Sequence, residues 1–292
     1  HSNILFLPYK IFMAALSNSF STGWPSTLVN GNYYLSHEVP KLYFLINIFY
    51  KSPEYFLITY VLFFITIYKS KLFFKEKFIF FNYKICFVTI ILFFPILVSI
   101  FIPFPLYDGT RLFLWVLPYY SIIPGLFIYY LLENFEYKKS KLILSFLFVL
   151  IFYFLFNFFT ITPYQYTYLN IFNGKQENRY QKFENDYWGV SIKELIKKTD
   201  FKKNKNLNIS VCGINSGVTK KYLKNESILF NKFVSPKKSD YIIMTNRVTF
   251  RGEKAEYSRN MINCFDKYKG TDFSKVTRNG LVLSVIRKIK SE

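Results

Sequence analysis

The amino-acid sequence predicts an α-helical polytopic membrane domain of about four transmembrane helices, followed by a small extracytoplasmic α/β domain. Three observations carry that expectation. Apolar residues make up 51% of the 292-residue chain and aromatic residues 22%, and the mean hydropathy is +0.15. Those residues gather in four long runs between Glu54 and Ile161. The net charge of +20 sits elsewhere, in the breaks between runs and in the tail. Buried helices of a large soluble core are the alternative, but they rarely come four in a row with no polar face, so the runs point to hydrocarbon. A chain this apolar is not disordered. With 3 Cys it is not a disulfide scaffold, and with Gly 11 and Pro 11 it is neither collagenous nor of low complexity.

Residues 1–53 read as an extracytoplasmic loop with one amphipathic piece, Pro8–Leu16. The sequence starts at His1 and shows no signal peptide, so an outer segment here needs spans before it. The chain is therefore expected to be the C-terminal part of a longer protein. Residues 54–161 read as the membrane domain, with runs at Tyr55–Tyr68, Ile85–Ile102, Leu112–Leu132 and Leu142–Ile161. The last three reach the roughly 18–20 residues that cross about 30 Å of hydrocarbon as helix. The first is short, with Glu54, Tyr68 and Lys69 placed for its interfaces.

The breaks set the orientation. Lys69, Lys71, Lys75, Lys77 and Lys84 separate the first two runs, and Lys138, Lys139 and Lys141 separate the last two. The break Pro103–Thr110 has no Lys. The positive-inside rule then puts the two Lys-rich breaks in the cytoplasm and residues 1–53, Pro103–Thr110 and 162–292 outside, in the periplasm of an inner-membrane protein.

Residues 162–190 read as a juxtamembrane connector and 191–292 as a soluble α/β domain. Ser191–Thr199 has an amphipathic helical pattern, and Leu207–Cys212 and Tyr241–Thr245 read as strands. Ser274–Arg278 and Leu281–Ile286 flank Asn279-Gly280, a type I′ hairpin signal. The tail from 162 onward has 26 Lys and Arg against 12 Asp and Glu, a net of +14, and the orientation rule does not count folded domains of that size. An outer tail also removes nucleic acid as a partner, despite the charge.

Three polar clusters fall on the same outer side. They are 23–40, which includes Asn30-Gly31-Asn32-Tyr33-Tyr34 and His37-Glu38-Val39-Pro40; Pro105–Arg111; and Pro163–Asn170 with Phe183–Gly189. The phrases Asn30–Tyr34 with Glu38-Val39-Pro40 and Lys51-Ser52-Pro53, then Tyr107-Asp108-Gly109-Thr110-Arg111, then Phe183-Glu184-Asn185-Asp186-Tyr187-Trp188-Gly189, resemble bacterial polytopic GT-C glycosyltransferases. The relatives in question are the dolichyl-phosphate-mannose protein mannosyltransferases and the lipid A aminoarabinose transferases. The resemblance covers about residues 8–195, the C-terminal half of such an enzyme. It implies a polyprenyl-phosphate sugar as donor, membrane lipid as surroundings and a lipid, glycan or protein acceptor. It also implies that the acidic base lies in a first outer loop upstream of residue 1. Relatives often have His after the Arg, where this chain has Leu112.

Transfer from a lipid phosphate needs a base for the acceptor hydroxyl, a cation for the leaving phosphate and an apolar groove for the prenyl chain. Arg111 at a membrane boundary suits the cation, because guanidinium pairs phosphate in a bidentate way. The alternative is that it anchors a span end. Asp108 orients Arg111, binds a sugar hydroxyl or caps the helix, and Tyr107 joins it in the donor group. Glu38 and His37 are candidates for sugar hydroxyls, against ordinary solvated loop residues. Asp186, Tyr187 and Trp188 read as packing for the tail or as an acceptor-side surface. With two His in the chain a histidine metal site is not expected, and a divalent ion would need carboxylates that show no paired motif. Cys212 and Cys264 are free to pair outside, while Cys86 stays a thiol in a span. Asn208-Ile209-Ser210 and Asn225-Glu226-Ser227 are chance sequons. Two other classes remain: a transporter subunit, which calls for ionisable or broken positions inside spans, and a non-catalytic anchor presenting a basic domain.

Overall fold

The computed structural model describes residues 24–101, 105–201, 206–251 and 260–289, with Phe6, Tyr9, Lys10 and Met13. Most of Pro8–Leu16 lies outside the described residues, as does the start of the Pro103–Thr110 break.

The segment read as a loop holds regular structure. β1 (Ser26–Val29) and β2 (Asn32–Leu35) form an antiparallel hairpin around Asn30 and Gly31, whose φ values are 48° and 87°. Asn-Gly supplies the two left-handed residues that such a turn requires. Helix α1 (Tyr43–Lys51) follows and stops at Ser52, which Pro53 holds extended. Helix α2 (Glu54–Lys69) then leaves at 113° to α1.

A buried polar network fixes this elbow. Asn170 Nδ2 donates to the carbonyls of Phe49 (2.5 Å) and Ser52 (3.0 Å), and Asn173 Nδ2 to that of Tyr50 (2.9 Å). These occupy carbonyls that a helix end leaves without intrahelical donors. The Glu54 carboxylate accepts from Ile171 N at 2.8 Å and from the Tyr168 hydroxyl at 3.0 Å.

Three helical stretches are long and apolar enough to cross a membrane: α4 (Phe81–Phe101), Arg111–Glu133 and α6 (Lys138–Thr160). The first expected span, Tyr55–Tyr68, is the short one. It lies in α2, which at 16 residues is shorter than the other three and bent sharply from α1, so among the described residues three helices, or four if the bent pair is one, are long and apolar enough to cross a membrane. The Lys-rich breaks are also helical and not loops. Lys69 ends α2, α3 (Lys71–Lys77) holds the next three, Lys84 sits in the first turn of α4, and Lys138, Lys139 and Lys141 open α6. Lys is a good helix former, and no Gly or Pro interrupts residues 69–84. Lys77 Nζ lies 2.6 Å from Glu133, which brings both Lys-rich segments to one end of the bundle. The third span begins as a 3-10 turn, Arg111–Val116, before α5 (Leu117–Glu133).

Phe63, Phe74, Phe81, Phe127, Leu131 and Leu147 pack the spans together. Only 6% of the most apolar window of α6 is buried within the chain, and rings such as Phe148, Phe152 and Phe156 face outward, as they do on a helix surrounded by hydrocarbon.

The α/β domain opens with α7 (Ser191–Lys198) and continues through β3 (Leu207–Cys212), α8 (Ser216–Asn225), β4 (Phe230–Phe233), β5 (Tyr241–Thr245), β6 (Val248–Phe250), β7 (Met261–Asn263), α9 (Cys264–Lys267), β8 (Thr271–Arg278) and β9 (Leu281–Lys288). Five strands form one sheet in the order β4-β3-β5-β9-β8. The first three are parallel, and β9 runs antiparallel to both its neighbours. Asn279 and Gly280 turn the last hairpin with φ of 48° and 80°. Ile192, Leu195, Ile196, Leu223, Ile209 and Leu283 fill one face of the sheet. Ile242, Met244, Phe265 and Val285 fill the other, where Cys212 and Cys264 form a disulfide. The domain sits at the bundle end opposite the Lys-rich segments, with Asn279 Nδ2 on Asn157 Oδ1 (3.0 Å) and Arg278 Nε on the Thr162 carbonyl (3.1 Å).

Candidate functional site

The approach to the third span is pinned by Leu106 N, which donates to the Ser36 carbonyl at 2.8 Å. Asp108 and Gly109 then both turn left-handed, with φ of 56° and 67°. Asp tolerates that region. A Cβ at Gly109 would also meet Lys51 Nζ, whose flexible side chain would have to move aside. Gly109 N donates to the Tyr43 hydroxyl at 2.9 Å, so the turn is bound to α1.

The turn delivers a buried carboxylate between two guanidinium groups. Asp108 Oδ2 accepts from Arg111 Nη1 at 3.1 Å, and Oδ1 accepts from Arg247 Nη2 at 2.7 Å. Arg247 comes from the turn between β5 and β6 in the α/β domain. Its guanidinium stacks 3.9 Å from the Trp24 ring centroid, and its Nη1 donates to the Tyr187 carbonyl at 2.5 Å. Arg247 and Asp108 are both buried, whereas the Arg111 side chain is 46% exposed beside the exposed Trp188, 5.9 Å from its ring. The cluster therefore has a closed end at Arg247 and an open end at Arg111.

Two further ionisable groups lie behind. Glu184 is buried, and its Oε1 accepts from Val248 N at 2.8 Å. Burial pushes its carboxyl up to about 7, against the opposing pull of Arg247 and the Val248 N–H. Lys51 stands over the Phe183 ring at 5.6 Å, and burial lowers its ammonium to about 8 against Glu184 and Asp108. Burial also raises the Asp108 carboxyl, while Arg247, Arg111 and Lys51 pull the other way. Three cations thus surround two carboxylates. Glu184 Oε2, Arg247 Nε, Ser26 Oγ and both polar side-chain atoms of Asn185 are buried with no hydrogen-bond partner, so the cluster has polar capacity beyond its internal bonds.

The residues singled out from the sequence divide. The structure joins Asp108 to Arg111, as its reading as the residue that orients Arg111 expects, and adds Arg247 on its other oxygen. Tyr107 is half-buried next to it. Asp186 is buried for a different purpose. It accepts from Val190 N (2.9 Å), Ser191 N (2.8 Å), Ser191 Oγ (2.5 Å) and the Tyr166 hydroxyl, and so starts α7 as a capping carboxylate does. Tyr187 contributes its carbonyl to Arg247, and burial and Asp108 push its phenol up to about 12. Trp188 flanks the open end. His37 and Glu38 are 3.8 Å from each other with side chains more than half exposed, as solvated loop residues are.

Sequence reasoning missed Arg247 and Tyr43, and placed Lys51 only in the phrase Lys51-Ser52-Pro53 and Glu184 only in an acidic-aromatic run. The available signal for Arg247 was a polar pair, Asn246-Arg247, directly after the strand Tyr241–Thr245. Asn246 braces the same region: its Nδ2 donates to the carbonyls of Tyr180 and Phe183, both at 2.7 Å, and its Oδ1 accepts from Asn185 N at 2.9 Å. Among the described residues, no group of three or more His, Cys, Asp or Glu gathers as metal ligands would. No protein-family model, no curated protein and no solved structure matches the chain.

Proposed function

We propose that the chain is part of a membrane glycosyltransferase of GT-C type that takes a sugar from a polyprenyl-phosphate donor. The observation that carries this reading is Arg111, half-exposed at the start of a span and held by a buried Asp108 that Arg247 braces from behind. A guanidinium fixed at a lipid–water boundary is suited to a phosphate on a lipid tail. In the reaction the bond from C1 of the sugar to the phosphate oxygen breaks and the acceptor oxygen bonds to C1. The acceptor proton passes to a base that the sequence resemblance puts upstream. Arg111 would stabilise the charge left on the phosphate, with Arg247 and Lys51 adding to the local positive potential. Trp188 offers an aromatic face for the sugar or acceptor beside it.

Among the described residues, Asp, Glu, Lys, Arg and His occur only near the ends of these helices, which favours this reading over transport. The grouping of the Lys-rich segments at the end opposite the α/β domain, and the disulfide within that domain, support an inner-membrane protein with the domain in the periplasm.

The test is turnover of a polyprenyl-phosphate sugar by the full-length protein carrying Arg111→Ala or Arg111→Lys. Loss of one donor to developing charge costs about 10²-fold or more in kcat, and Lys should recover only part of it because it cannot pair in a bidentate way. Unchanged turnover in both variants would end the proposal.

A further inference from the structure

Helix α1 has two different faces. Tyr43, Phe44, Asn47 and Ile48 are buried toward the site. Leu42, just before the helix, with Leu45 and Phe49, points the other way at spacings that share one helical face. Ile171 and Phe172 extend that face from the 3-10 turn Ile171–Asn173, and the Phe172 ring stacks on Phe49 at 5.2 Å. All five are 39–53% exposed, which makes a contiguous apolar ridge.

The ridge has a fixed attitude to the spans. With α2 taken along the membrane normal, the 113° bend leaves α1 only 23° out of the membrane plane (113 − 90). Asn170, Asn173 and Glu54, all buried, hold that angle, and they also bind the Ile171–Asn173 turn to the elbow. Exposed Lys41 and Lys175 flank the ridge at its two ends, and Lys182 Nζ stands 5.9 Å from the Tyr50 ring beside it.

We propose that this ridge is an interfacial membrane contact: α1 and the 171–173 turn lie in the headgroup–acyl boundary of the leaflet nearest the α/β domain. Leu42, Leu45, Phe49, Ile171 and Phe172 enter the acyl region while Lys41 and Lys175 meet anionic headgroups. Three features select lipid as the occupant. The ridge is continuous with the point where α2 enters the bilayer. Its axis lies near the membrane plane, and its composition, apolar with basic flanks, is that of helices buried about 5–10 Å into an interface. The bend in the first apparent span is then a change of direction at the surface and not a break within the hydrocarbon. The same helix carries Tyr43 and Lys51 on its other face, so the ridge sets the height of the cationic cluster above the acyl chains. The inference does not depend on the transferase reading.

The full chain reconstituted in phosphatidylethanolamine–phosphatidylglycerol bilayers tests it. Single spin labels at Leu45→Cys and Phe172→Cys, in a Cys86→Ser background that keeps the disulfide, are measured by power saturation with oxygen and with a neutral nickel chelate. Oxygen accessibility should exceed nickel accessibility at both sites, and the order should reverse at Lys220→Cys on the α/β domain. Both positions are exposed, so labelling should leave thermal unfolding near that of the parent. Nickel exceeding oxygen at either ridge site would show a water-facing ridge, and exclusion of both reagents would show a protein cover; each result overturns the proposal.

Discussion

Arg247 is the residue on which the buried cluster turns, because it neutralises Asp108 from within a different domain. Breaking a buried pair leaves an uncompensated charge, at about 3–5 kcal/mol. Arg247→Met should approach the lower end of that range, since half-exposed Arg111 still reaches Asp108. Adding Asp108→Asn, which keeps a residue tolerant of φ 56°, should recover much of the loss. Chemical denaturation of the two single variants and the double variant measures the coupling, and simple additivity would contradict the pairing. Glu184 makes a pH prediction. Its folded carboxyl titrates near 7 against an ordinary value near 4.5, so between those limits the folded state holds more protons than the unfolded one. Stability should therefore fall as pH rises from about 4.5 to 7. Glu184→Gln should flatten that part of the profile of unfolding midpoint against pH. Lys51 has the opposite sign in a higher window: its folded pKa is near 8 against 10.5, so stability should rise from about pH 8 to 10.5. At this scale the sequence showed Asp108 and Arg111, three apart at a span end, but not Arg247, which is 139 residues from Asp108 and meets it only through tertiary folding.

The elements were legible where a local rule decides them. Leu207–Cys212 and Tyr241–Thr245 are strands with the bounds that their apolar runs suggest, and Asn279-Gly280 turns the last hairpin. The same dipeptide at Asn30-Gly31 carried the same signal, but the flanking strands are four residues each and too short to stand out in a polar region. The elbow between α1 and α2 was not legible, because its angle is set by Asn170, Asn173 and Glu54 from distant parts of the chain. The disulfide joins elements in the same way. Cys264 N donates to the Arg247 carbonyl at 3.0 Å, so the bridge to Cys212 braces the turn that carries Arg247. Closing a separation of 52 residues, it should be worth about 2–4 kcal/mol. Cys212→Ser/Cys264→Ser should lower the unfolding midpoint accordingly, and a midpoint unmoved by both the variant and a reductant would show that the bridge contributes nothing.

The whole molecule is a bundle with basic helical turns at one end and the α/β domain at the other. Its +20 charge divides accordingly, part in the helical turns at one end and part in the domain at the other. Single cysteines at Lys139 and Lys224, each in a Cys86→Ser background, should label with a membrane-impermeant maleimide from opposite sides of intact vesicles; labelling from the same side would overturn the two-ended arrangement. Within the domain, β9 enters the sheet last yet takes an inner place, between β5 and β8. During synthesis β5 must therefore wait with an open edge until Leu281–Lys288 emerges, and Arg247, just past the end of β5, has no settled platform until then. A ribosome that stops short of residue 281 would leave the spans inserted and the domain without its inner strand. Nascent chains of increasing length should show protease resistance of the domain arriving in one step, at the length that frees β9, and not strand by strand.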